Sequence, residues 1–269
     1  MTAIEEQGGR PATGTGTAGI VFDAAGDGDP PMLFLHGWCG DRSFFAPQFE
    51  HFSRSHRVVG LDLPGHGQSR APAAYSIDGL AADVAALGRQ LGLGRAVLVA
   101  HSLGAMVALA LRQQAPELVG AVVMVDPPPL SQEVWKGFGA SLLQGFEGPE
   151  PAAARRNFVE QMFLPTDDGD RRARIVAAMC AVPDDVAIAT TKAIVAFNAA
   201  ETLRGCGVPV VIISSAVPTN SSQYLREIDP AITLGQTVGA GHFLQLEIPQ
   251  QVNLMIERFL SISPQIAAR

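Results

Sequence analysis

The segment Val97-Leu-Val-Ala-His-Ser102-Leu-Gly-Ala105 constrains this chain more than any other. An apolar run that stops at a small-His-Ser-x-Gly turn predicts a β-strand that ends abruptly, throws one serine outward and continues as a helix. A serine held there stands clear of the backbone on a strained turn. Its helix N-terminus supplies positive dipole, and the next amide is free to face a developing oxyanion. Ala100 and Gly104 flank Ser102 two residues to either side, where larger side chains would collide across the bend. Position 100 is Ala where the commoner G-x-S-x-G string has Gly, but the demand is only for a small residue. The same residues also fit an ordinary strand-to-helix connection in which the serine caps the helix.

Around this turn, strand-like and helix-like patterns alternate, which predicts βαβ units and a mostly parallel sheet. Strands are expected near 18–23, 31–36, 56–61, 95–100, 120–125, 208–214 and 232–237, and helices near 43–53, 77–91, 104–115, 220–228 and 248–261. Within 77–91, Leu80, Val84, Leu87 and Leu91 recur at helical spacing. From Leu130 to about Arg204 the pattern is helical throughout and carries Trp135, Phe138, Leu142, Phe146, Phe158, Met162 and Phe163. That stretch reads as a helical lid over the carboxyl ends of the strands, where an open parallel sheet binds its ligand. Its apolar character suggests an uncharged, rather hydrophobic small-molecule ligand, although most of the aromatics would serve to hold the insert onto the core. Arg155, Arg156, Arg171, Arg172 and Arg174 are expected on a solvated face.

At 269 residues and 47% hydrophobic content, the chain suits one large α/β domain buried on both faces of its sheet. A net charge of -7 argues against nucleic acid or an anionic membrane as partner, and a homodimer is left open. Three scattered cysteines, Cys39, Cys180 and Cys206, indicate neither a disulfide framework nor a metal cluster. Glu5 and Glu6 precede Gly/Thr/Ala-rich residues 8–19 with no basic or apolar leader, so a cytoplasmic location is expected, with residues 1–16 as a loose tail.

Three more strings stand in order around the serine turn: Met32-Leu-Phe-Leu-His36-Gly37-Trp38, Val58-Val-Gly-Leu-Asp62-Leu-Pro-Gly-His66-Gly-Gln-Ser69, and Val238-Gly-Ala-Gly-His242-Phe-Leu-Gln-Leu-Glu-Ile-Pro249. Together with it they resemble the α/β-hydrolase superfamily, in particular its small esterase, lactonase and perhydrolase-like members, over about residues 18–262. The resemblance implies an α/β fold with a mostly parallel twisted sheet flanked by helices. The core would comprise 17–129 and 205–269, and a helical lid, 130–204, would follow the sixth strand.

By that resemblance Ser102 is the nucleophile and His242, in a Gly-Ala-Gly-His turn after a strand, its base. His36, His51, His56, His66 and His101 are better read as packing or turn chemistry. Relatives usually carry the orienting acid after the strand that follows the lid. Here Ser215-Ala-Val-Pro-Thr-Asn220-Ser-Ser222 has no carboxylate, so Asp126, ending the strand before the lid, is preferred, with Asn220 or Glu227 as alternatives. The amides of Leu103 and Trp38 would form the oxyanion hole, and the candidate pocket lining is His36, His101, Trp135, Phe138 and Phe243. The expected reaction is two-step hydrolysis of an ester or lactone, with no metal or cofactor. Two other readings stay open. One is a cofactor-free dioxygenase acting on an N-heteroaromatic substrate, which Gly37-Trp38-Cys39 and the position of Asp126 resemble; the other is a non-catalytic ligand receptor.

Overall fold

The apolar runs of the sequence form strands buried on both faces. The structure, a computed structural model, describes residues 11–266. Its strands are β1 (Ala12–Thr15), β2 (Val21–Ala25), β3 (Met32–Leu35), β4 (Val58–Leu61), β5 (Ala96–His101), β6 (Val119–Val125), β7 (Val210–Ser214) and β8 (Thr233–Gln236). They form one sheet in the order β1-β2-β4-β3-β5-β6-β7-β8. β2 is antiparallel to both β1 and β4, and the remaining neighbours are parallel. After β4 the chain crosses to β5 on the far side of β3. That reversal opens a crevice above the carboxyl ends of β3 and β5, where a sheet of this kind takes its ligand.

The helices are α1 (Ala46–Phe52), α2 (Ile77–Gln90), α3 (Leu103–Gln114), α4 (Gln132–Phe146), α5 (Pro151–Glu160), α6 (Gly169–Ala181), α7 (Asp184–Ala196), α8 (Ala199–Arg204), α9 (Ser222–Ile228), α10 (Leu244–Glu247) and α11 (Pro249–Ile262). Ser76 starts α2 by accepting the Gly79 N–H at 2.9 Å, and the helix buries Leu80, Val84 and Leu87, the stripe read from its spacing. Strand residues alternate between two cores. Leu33, Leu35 and Leu98 face α2 and α3, whereas Met32, Phe34, Val97 and Val99 face α1 and α11. Burial of each such side chain contributes about 1.5–3 kcal/mol.

Helices α4 to α8 follow one another between β6 and β7. Trp38 of the core joins this insertion: its indole N–H donates to Ala187 O of α7 at 3.0 Å, and its ring stacks on Phe146 of α4 at 5.5 Å. Arg155 departs from the expected solvated face. It is buried, donates to Cys180 O and Val182 O at 2.7 and 2.5 Å, and pairs with Asp184, so its guanidinium satisfies the carbonyls left open at the end of α6.

Residues 12–15, expected within the loose tail, instead form the edge strand β1. Ala12 to Thr15 pair with Ala24 to Val21, and Thr13 Oγ1 donates to Asp23 at 2.6 Å. Backbone pairing with β2 holds a Gly/Thr segment whose side chains show no hydrophobic alternation. Residues 1–10 of that tail lie outside the described residues. The short helix α10 was also not expected. Among the described residues no helix is long and apolar enough to cross a membrane.

Candidate active site

Ser102 leaves β5 at φ 51° and ψ −116°, a conformation that L-residues rarely adopt and that persists only where the surroundings hold it. Its side chain makes no capping bond to α3, so the plain helix-cap reading does not describe it. A β-carbon at Gly104 would lie 2.3 Å from Leu35 O and 2.7 Å from His36 O, which is why only glycine fits two residues beyond the serine. One at Gly37 would lie 3.2 Å from Ser102 Cβ, so the loop after β3 runs directly beside the serine. Among the described residues, the amides of Leu103 and Trp38 donate no main-chain hydrogen bond.

His242 lies on the loop after β8, and three contacts hold it. Its Nδ1–H donates to Asp126 Oδ2 at 2.7 Å, its carbonyl accepts from His101 Nε2 at 2.9 Å, and its amide donates to Met162 O at 2.9 Å. A carboxylate only accepts, so the first bond places the ring proton on Nδ1 and leaves Nε2 as the basic nitrogen. Asp126 ends β6 at φ 40° and is 3% exposed. Its second oxygen accepts the Ser215 amide at 2.8 Å. Ser215 follows β7, so its backbone amide ties the end of that strand to Asp126 at the end of the neighbouring β6.

The alternatives for that acid stand elsewhere. Glu227 is exposed on α9 and accepts from Gln223 at 3.0 Å. Asn220 is buried, but its amide accepts from Leu130 N at 2.9 Å and donates to Pro127 O and Pro128 O at 3.3 and 3.0 Å. It secures the turn that follows Asp126.

Ser102, Asp126 and His242 all open onto a cavity of about 550 Å³. Trp38, Trp135, Phe138, Leu142, Phe158, Met162 and Ile194 form much of its wall, and among the described residues no Lys or Arg lines it. Trp135 and Phe138 were expected there; His36, His101 and Phe243 were too, and the structure places them elsewhere. His36 is fully buried, its Nδ1 on Gly37 O at 2.8 Å and its Nε2 accepting Leu63 N at 2.9 Å, so both nitrogens are spent on the strand end. His101 and Phe243 border a smaller hollow of about 10 Å³ that shares Trp38, Ser102, Met162 and His242 with the cavity. Burial lowers the pKa of His36 to about 4 and of His66 to about 3, and holds His101 well below 6.5, so all three stay neutral at pH 7. Sequence reasoning missed Ser215 and Met162, because their parts are played by backbone atoms that side-chain chemistry does not announce.

Residues 30–161 match the family model described as alpha/beta hydrolase fold. The 2-(acetamidomethylene)succinate hydrolase of Mesorhizobium japonicum is 30% identical over 242 residues, covering 76% of this chain and 85% of that protein. The chain belongs to the alpha/beta hydrolase fold family. Among solved structures, Est816, described as an N-acyl homoserine lactone degrading enzyme, superposes with a TM-score of 0.76 at 26% identity, covering 90% of this chain and 96% of that one. A thermophilic esterase from Thermogutta terrifontis shares the fold with a TM-score of 0.79 at 20% identity, over 94% of this chain and 99% of that one.

Proposed function

We propose that the protein is a serine hydrolase that cleaves an uncharged, rather apolar carboxylic ester or lactone through an acyl-enzyme. The observation that carries this reading is the convergence on one apolar cavity of a serine held at positive φ and a histidine bonded through Nδ1 to a buried carboxylate. Ser102 Oγ attacks the carbonyl carbon while His242 Nε2 takes its proton, and the amides of Leu103 and Trp38 hold the oxyanion. Collapse expels the alcohol oxygen, which His242 protonates. Water, deprotonated by the same nitrogen, then attacks the acyl carbon and releases acid and free serine.

The cavity wall supports the substrate class. The name of the Mesorhizobium relative gives that protein a succinate substrate, which carries carboxylates. Here such a substrate would meet the Asp126 carboxylate and no cation. A panel of p-nitrophenyl esters of rising acyl length, with uncharged lactones and a dicarboxylate ester beside it, tests the reading. Turnover confined to the uncharged members is expected; preference for the dicarboxylate would contradict it. Oxygen uptake on N-heteroaromatic compounds without ester turnover would favour the dioxygenase reading instead.

A further inference from the structure

The loop bearing His242 is held from outside the sheet. Between α5 and α6 the insertion passes through Met162 to Asp168 and lies along residues 239–247. His242 N donates to Met162 O at 2.9 Å, and Gly241 N donates to Asp167 Oδ1 at 3.1 Å. The other Asp167 oxygen accepts Leu164 N at 2.7 Å, so one carboxylate closes its own turn and grips the histidine loop. Thr166 Oγ1 donates to Gly239 O at 3.2 Å, and Arg171 at the start of α6 pairs with the half-buried Glu247 at 2.6 Å. The fit is tight. A β-carbon at Gly241 would come within 2.6 Å of Asp167 Oδ2 and 2.7 Å of Met162 O. The same segment also faces the cavity, since Met162, Phe163 and Leu164 line it.

We propose that Asp167 is a positioning residue for His242, and that the α5–α6 segment thereby ties substrate packing in the cavity to alignment of the base. This rests on the reading of His242 as base. Asp126 fixes the ring at Nδ1 and His101 fixes the carbonyl, but the amides of Gly241 and His242 both end on the insertion, so the backbone that aims Nε2 is set there. A ligand pressed against Met162 and Leu164 bears on the same turn that Asp167 closes. Substrate would therefore stiffen the base through this turn as well as at the reacting atoms.

The test compares Asp167→Ala, Asp167→Asn and His242→Ala on p-nitrophenyl butyrate, with the downfield proton resonance of His242 Nδ1–H followed by NMR and Tm as the measure of folding. Asp167→Ala is expected to lower kcat roughly 10- to 100-fold, since a displacement near 1 Å at a reacting group can cost that much. KM should change little, and the Nδ1–H resonance should broaden or vanish in a protein that still melts cooperatively. Asp167→Asn, which keeps one acceptor oxygen, should recover part of both; it also carries the test if the alanine variant does not fold. Wild-type kcat in Asp167→Ala, or a lower rate with the resonance intact, overturns the positioning role. With His242→Ala inactive, that result leaves the base assignment standing. An active His242→Ala overturns both.

Discussion

The strand ends and the inserted helices meet the cavity with opposite kinds of surface. On the core side stand Ser102 and Asp126, both at positive φ and backed by buried backbone, with short bonds running from His242 to Asp126 and from Ser215 to Asp126. On the other side the insertion offers mainly apolar side chains, and some of them are open to solvent: Val134 is 48% exposed and Phe138 42%. Strain can be stored only where packing over-determines it, which is the core. Selection by size and polarity needs only an apolar wall. On the proposed function the chemistry lies at the strand ends and the choice of substrate with the insertion, and the Met162–Asp168 segment is hydrogen-bonded to the loop of His242 between them.

The largest effect that would break this division is at the serine. Ser102→Ala should lower kcat by a factor of about 10⁵ or more with Tm preserved, because losing the nucleophile alone costs about as much as losing the whole serine-histidine-acid unit. Activity within tenfold of wild type would remove the serine from the chemistry and favour the dioxygenase reading.

Asp126→Asn comes next, at about 10⁴ in kcat. An amide at that position would donate toward Nδ1 and favour the wrong ring tautomer. Glu227→Gln, on an exposed helix face, should stay near wild type. Equal losses in the two variants would contradict the assignment of the acid to the end of β6.

A smaller effect tests the insertion. Activity on p-nitrophenyl esters should rise from acetyl toward medium chains and then fall as the cavity fills. Each methylene that fits adds up to about 0.8 kcal/mol, close to fourfold. An acetyl-only profile would mean that the apolar wall does not receive the acyl chain.

The smallest effect is on stability, and it should arise in the core. His36, His66 and His101 all lie there, and burial holds each below its unfolded pKa near 6.5. The unfolded chain therefore binds more protons than the native protein once pH drops below about 6.5, so stability is full above that value and is lost toward pH 4. Tm should fall steadily from pH 7 to pH 5 as the unfolded chain takes up protons on these histidines before the native protein does. A Tm that is flat or rises over this range would show that these rings are charged in the native state.

The fold was legible because parallel strands buried on both faces read as nearly unbroken apolar runs, as in Val119–Val125. The approach of Asp126 to His242 was legible for a chemical reason: residues 208–226 hold no carboxylate, and the next strand end does. Edge strand β1 was not, since Gly and Thr pair through backbone alone. Arg155 was misread because a charged side chain among other arginines looks solvated until the carbonyls it caps are seen. The grip of Asp167 on Gly241 joins positions 74 residues apart through one carboxylate and one amide, and no local periodicity encodes such a pair.

The proposed function requires a covalent acyl-enzyme on Ser102. Mass spectrometry of the folded protein treated with a fluorophosphonate, followed by peptide mapping, tests it most directly. One adduct on the peptide carrying Ser102, absent from Ser102→Ala and protected by a slowly turned-over ester, is the expected result. An adduct on another residue, or none on folded protein that turns over ester, would contradict it.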